Sequence, residues 1–181
     1  DAGTQNLVRI ELIFPAGVWH QSSLLLASTA NAMLNEGTSK HTSEEIAEKI
    51  DYYGAFLEIE CGKDLAYISL YTLNKHLENT LPVLEEIVKN SIYPESEFNT
   101  YLQNRKQRFI VNNEKVGFVA SKKFNEMLFG NDHPYGHNIT SNDFDLLKRE
   151  DVIDFYDRFY KLSTCRIIAS GKITDDLIGL L

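Results

Sequence analysis

The sequence predicts an α+β fold of two layers, with a mainly antiparallel sheet in one layer and helices packed on one face of it in the other. Three observations lead to this prediction. One stretch alternates apolar and charged residues, several longer segments repeat apolar residues every three or four positions, and a short turn joins two runs of β-forming residues. Strands joined by a short turn pair antiparallel, and helices then cover one face of the sheet.

The chain begins with a predicted strand and two predicted helices. The strand covers residues 7–14, where every second residue is apolar. A helix is predicted from about residue 22 to residue 36, with Gly37 as its C-cap. The next helix begins at a capping box, in which Thr42 is followed three residues later by Glu45.

A hairpin follows these helices. Its two strands are predicted over residues 55–60 and 65–73, joined by the turn 61–64. The second run is apolar or aromatic at most positions of both faces, so we expect it to lie centrally in the sheet.

The rest of the chain is mostly helical, with one further strand. The predicted elements are a helix over 77–88 that contains Pro82, a long helix that Pro94 opens, a helix that Gly130 ends, a helix over 152–159, a strand over 164–170 and a helix over 175–181.

Composition narrows the class of protein. The chain has 181 residues and 43% hydrophobic content, which suits one domain, and no apolar run is long enough to span a membrane. A net charge of −8 argues against nucleic-acid binding, and we interpret the one basic cluster, residues 105–108, as a solvated helix face. Because the sequence begins at Asp1 without Met, we expect a piece of a longer or processed chain.

The order of these elements resembles one half of a pitrilysin/insulinase-type zinc peptidase, the family that includes mitochondrial processing peptidase and core subunits of a respiratory complex. The match covers the chain from about Leu7 onward. It depends on the helix that runs into Gly37-Thr38, the capped helix that ends at Gly54, the loop 133–136 and the strand that leads to residues 170–173.

This resemblance implies where a zinc site would be. Active members carry His-x-x-Glu-His on the helix before the Gly-Thr, and a distal Glu about 76 residues after the second His. Histidines four residues apart share a helical face, so both imidazoles reach one zinc ion. The intervening Glu activates the water that is bound to this zinc. Counted from Gly37, these positions fall on Ser28, Asn31, Ala32 and Arg108. All four have lost their function, so we predict no metal, no cofactor and no catalytic residue.

Other residues offer weaker alternatives. His133 and His137 are four apart, but Pro134 and Gly136 favour a structural turn over a metal site. Five aromatic residues could line a peptide groove, although packing is the simpler interpretation; these are Tyr52, Tyr53, Phe56, Tyr67 and Tyr71.

The resemblance implies a non-catalytic, zincless half-domain over residues 1–181 that forms a wall of a peptide-binding chamber. Its partner would be a second half of the same chain or a catalytic homologue, in a homodimer or heterodimer. Two alternatives stay open: a portion of an active zinc metallopeptidase whose motif lies elsewhere, and a scaffold protein without a proteolytic partner. We expect a soluble protein, cytoplasmic or periplasmic, that does not act as an enzyme by itself.

Overall fold

A computed structural model of the protein describes residues 5–180, and for Asp176 it describes the backbone alone. The strands are β1 (Leu7–Phe14), β2 (Phe56–Cys61), β3 (Ala66–Leu73) and β4 (Arg166–Gly171). The α-helices are α1 (Leu26–Ala32), α2 (Ser43–Tyr52), α3 (Leu77–Asn90), α4 (Glu95–Asn112), α5 (Val116–Phe129), α6 (Asp143–Leu146), α7 (Arg149–Phe159) and α8 (Asp175–Leu180). Short 3-10 helices cover Val18–His20, Asn74–His76 and Leu162–Thr164.

The strands form one antiparallel sheet in the order β2-β3-β1-β4, and the predicted α+β class is confirmed. β3 pairs with both β1 and β2, so its predicted central position is correct. The first strand has the bounds that its alternation predicts.

The two faces of the sheet differ in chemistry. Cross-strand pairs such as Ile10 with Leu70 and Leu12 with Ile68 are buried and form the core with the helices. On the opposite face, Arg9 pairs with Glu11 and donates a hydrogen bond of 3.1 Å to Ser69. The helices therefore cover the apolar face, as the alternation of side chains along a strand requires.

Most helix boundaries follow local sequence signals. The predicted capping box of α2 is present, with Thr42 accepting from the Glu45 backbone and the Glu45 side chain accepting from Thr42. α3 continues through Pro82, and α5 ends at Gly130, whose φ of 82° suits glycine. The last helix was predicted to reach Leu181, which lies outside the described residues.

The predicted helix over residues 22–36 is wrong in its extent. α1 has only seven residues, because Leu25 adopts a left-handed conformation with φ of 70° and Met33 caps the other end. Leu25 is 2% exposed, so burial of its side chain in the core stabilises this left-handed conformation. Gly37 is not the C-cap but forms a bridge with Thr42.

Candidate functional site

The candidate site is the half-buried side of α1, where the zinc motif would lie. Leu26, Ala27 and Ala30 fix α1 in the core, and they are at most 3% exposed. Ser28 and Ala32 are both half-buried and lie four residues apart. Positions four apart share one helical face, so these two residues occupy adjoining places on the accessible side of α1.

Arg105 of α4 occupies this side of α1. Its Nη2 donates to Ser28 Oγ at 2.7 Å, and its Nη1 donates to Thr29 Oγ1 at 2.9 Å. Nη1 also donates to the hydroxyl of Tyr101, one turn earlier on α4, at 3.1 Å. A guanidinium held by three oxygen atoms therefore joins α4 to α1 where the resemblance would put a metal ion.

The pKa of the Cys61 thiol, at the edge of the sheet, depends on burial and on the Arg105 charge. Cys61 ends the edge strand β2. Burial raises the pKa of the Cys61 thiol to about 11, against the smaller lowering effect of the Arg105 charge. The thiol is therefore protonated and unreactive near neutral pH.

Asn31 is part of the core. Its side chain is 1% exposed, and its Nδ2 is buried without a hydrogen-bond partner among residues 5–180. The same turn of α1 is fixed by Tyr93, whose hydroxyl donates to the carbonyl of the preceding residue, Ala30, at 2.9 Å. Burial raises the pKa of the Tyr93 hydroxyl well above its ordinary value, so this donor keeps its proton.

Arg108, the predicted counterpart of the distal Glu, is exposed. Its Nε donates to the Asn104 carbonyl at 3.4 Å, on the same helix. The structure thus brings Ser28 and Ala32 to one face of α1 and brings Arg105, rather than Arg108, to Ser28.

The interpretation of residues 105–108 as a solvated face is wrong for Arg105. The spacing of apolar residues in the sequence indicates that Arg105 lies on the buried face of its helix. Leu102 and Phe109 are buried on α4, and Arg105 lies three residues after one and four before the other. This spacing puts Arg105 on the inner face of the helix.

The other candidate residues have structural contacts. His133 lies in a turn, where its carbonyl accepts from the backbone of Gly136 and of His137 and its ring stacks on Phe129. Tyr52 is 81% exposed, and an open groove between α2 and α3 is lined by Tyr52, Tyr53 and Pro82. Among the side chains that the structure describes, no three from His, Cys, Asp or Glu converge as a metal site would require.

Among solved structures, the fold of this chain is similar to that of proteins described as M16 or M16-like peptidases and of one described as a protease. The chain is similar to a structure described as a peptidase M16 inactive domain from Pseudomonas fluorescens, with a TM-score of 0.90 and 24% identity. It is also similar to a protease from Helicobacter pylori, with a TM-score of 0.84 and 14% identity, and to an M16-like peptidase from Alicyclobacillus acidocaldarius, with a TM-score of 0.83 and 13% identity. Each match covers 97% of this chain and 43% of the other.

Two relatives in sequence are named as zinc proteases. A protein named as an uncharacterised zinc protease in Rickettsia felis is 24% identical over 148 residues, and one in Rickettsia bellii is 23% identical over 177 residues. These matches cover 81% and 96% of this chain but only 36% and 43% of the relatives. No family model matches the chain. The resemblance to pitrilysin-type peptidases is thereby confirmed, for a chain without the His-x-x-Glu-His motif.

None of the helices within residues 5–180 combines the length and the apolar character that crossing a membrane requires.

Proposed function

We propose that this chain is a non-catalytic half-domain of a pitrilysin-type protein, and that it forms one wall of a peptide-binding chamber. Its partner in this proposal is a second half of the same polypeptide or a catalytic homologue. A matching fold with a changed site is the expected pattern for a protein that keeps the scaffold and has lost the chemistry.

One observation carries this proposal: the Arg105 guanidinium lies against Ser28, the residue on which the resemblance puts the first histidine of the zinc motif. A guanidinium stays protonated at any physiological pH, so it repels a metal cation at short range. Ser28 offers a neutral hydroxyl and Ala32 offers no donor at all, whereas zinc prefers imidazole, thiolate or carboxylate ligands.

The proposal is tested on the full-length protein purified from its native source. We expect zinc at well below one equivalent per chain, no cleavage of an unstructured peptide, and co-purification of a homologue that carries His-x-x-Glu-His. Metal analysis, a fluorogenic peptide assay and mass spectrometry of captured proteins measure these outcomes. Stoichiometric zinc on this half together with chelator-sensitive cleavage would contradict the proposal.

The relatives favour one alternative. Proteins named as zinc proteases are more than twice as long as the part that this chain matches. An active metallopeptidase in which this chain supplies one portion, with the motif on another, is therefore a second candidate. The same metal analysis separates the two candidate functions. If the chain is one portion of an active metallopeptidase, the full-length protein binds one zinc, and substitutions of Ser28 and Ala32 leave the zinc content unchanged.

A further inference from the structure

The Arg105 guanidinium has hydrogen-bonding capacity that its contacts do not use. Three of its five N–H donors are directed at the hydroxyl oxygens of Ser28, Thr29 and Tyr101. The Nε–H and one Nη2–H have no acceptor among the described residues. The residue is half-buried rather than fully enclosed, so part of its surface stays accessible to a ligand.

None of the contacts of the Arg105 guanidinium with the described side chains supplies a negative charge. Within residues 5–180, Lys106 pairs with Asp145 at 2.7 Å and Lys123 pairs with Glu126 at 2.7 Å. Arg105 forms no such ion pair with an Asp or Glu of this region, because all three of its partners are neutral hydroxyl groups. A partly desolvated cation without a counter-charge gains most from an anionic ligand.

The guanidinium is held in place before any ligand arrives. Two of its partners lie on α1, and the third, Tyr101, lies one helical turn away on α4, with its ring centre 5.7 Å from the Arg105 Cζ atom. Fixing a long side chain in advance removes the entropic cost that an exposed arginine pays on binding. Ordinary surface lysines such as Lys123, which is 67% exposed, lack this support.

We propose that Arg105, held by Ser28, Thr29 and Tyr101, is a binding site for a carboxylate group of a peptide. This inference rests on the proposed peptide-chamber function and adds a preference for acidic peptides or for a free C-terminus. A carboxylate matches the planar donors of a guanidinium, and its charge is opposite. The site lies beside the edge of the sheet, since α1 packs against the edge strand β2.

The net charge of the chain makes the test selective. These 181 residues carry a net charge of −8 and together disfavour anionic peptides, so a preference of this part for a carboxylate must come from a local site. We would measure binding of the full-length protein to fluorescent, unstructured peptides that differ only by one central Glu or Gln, each with a free or an amidated C-terminus. Fluorescence anisotropy gives the four dissociation constants.

We expect the Glu peptide, the free-acid peptide or both to bind the wild-type protein about tenfold more tightly than the neutral amide. The four peptides thereby identify which source of carboxylate the site takes. Arg105→Gln should abolish this preference, Arg105→Lys should retain part of it, and Arg108→Gln on the exposed side of the same helix should leave it intact. Thermal unfolding of each variant shows whether it is folded.

Several outcomes would overturn the inference. It is wrong if the wild-type protein binds all four peptides equally, or if Arg108→Gln removes the preference as fully as Arg105→Gln. If Arg105→Gln does not fold, Arg105→Lys and the four wild-type constants still decide the question. Failure to bind any of the peptides would instead contradict the peptide-chamber function itself, so the two proposals fail in different ways.

Discussion

At the scale of single residues, the side chains on α1 limit its chemistry. Ser28 and Ala32 have the spacing that two zinc-binding histidines need, and both are half-buried. The hydroxyl of Ser28 is already engaged, because it donates to the Leu25 carbonyl at 3.1 Å and accepts from Arg105 at 2.7 Å. Ser28 therefore binds the guanidinium of Arg105, a cation that the protein itself supplies.

This view predicts that a zinc site can be introduced by three substitutions. Ser28→His and Ala32→His supply two imidazoles on one face of α1, and Arg105→Glu replaces the guanidinium with a third ligand. We expect this variant to bind zinc with roughly tenfold higher affinity than the two histidine substitutions alone, because Arg105 otherwise repels the metal. Titration with a competing zinc indicator measures both affinities.

The control is the pair of histidines combined with Arg108→Glu, which adds the same carboxylate on the exposed side of α4. If this control binds zinc as tightly as the Arg105→Glu combination, Arg105 does not occupy the metal position. Circular dichroism establishes that each variant is folded.

At the scale of elements, the loop between α1 and α2 is fixed to α3 by Glu86. The Thr38 hydroxyl donates to the Glu86 carboxylate, and His41 Nδ1 lies 2.8 Å from Glu86 Oε1. Burial of Glu86 would raise its pKa, but the hydrogen bonds from Thr38 and His41 and the charges of His41 and Lys40 outweigh this effect, so the pKa lies below its ordinary value of 4.5.

These contacts predict a pH dependence of stability. A carboxyl group with a lowered pKa in the folded state stabilises the protein above its unfolded pKa, and the contribution is lost as the pH falls through the folded pKa. We therefore expect the free energy of unfolding to decrease below about pH 4.5, and Glu86→Gln to reduce this decrease. Urea unfolding at a series of pH values measures it.

Glu85→Gln is the matched control, because Glu85 is the adjacent residue and its partner is Lys89 on the exposed side of α3. Exposed helical pairs of this type contribute little to stability. The explanation from Glu86 is wrong if the two variants change the pH dependence equally.

At the scale of the whole molecule, an aromatic cluster joins three distant segments. Trp19 lies 5.6 Å from His133 and 5.7 Å from Tyr135, measured between ring centres. Lys63 in the β2–β3 turn places its ammonium 4.5 Å from the ring centre of Phe129. The loop after α5 is therefore attached to the hairpin and to the segment after β1.

The cluster predicts a coupled effect on fluorescence and stability. Tyr135→Ala removes ring contacts with Trp19, Phe129 and His133 and the hydrogen bond from the tyrosine hydroxyl to Asp64. We expect a shift of Trp19 emission toward longer wavelength and a lower unfolding midpoint. The chain has one tryptophan, so the emission reports on this cluster alone.

Tyr52→Ala provides the comparison, because Tyr52 is 81% exposed and its ring contact is with the neighbouring Tyr53. Unchanged Trp19 emission in Tyr135→Ala, or an equal loss of stability in both variants, would argue against the cluster as a tertiary link.

The sequence by itself determined the fold class, the strand β1, the hairpin and the capping box of α2. These features depend on alternation, turn residues and short-range hydrogen bonds, which act between residues close in the chain. The sequence also determined that Ser28, Asn31 and Ala32 lack the ligands of a zinc site. These are properties of the residues themselves.

Only the tertiary structure decided how short α1 is and which arginine meets it. The segment 22–36 has an apolar pattern typical of a longer helix, but burial of Leu25 stabilises a left-handed conformation that local propensity disfavours. Arg105 and Ser28 are 77 residues apart, so their contact depends on how α4 packs against α1. Packing between distant segments selects among conformations that the local sequence leaves close in energy, and it fixed both features here.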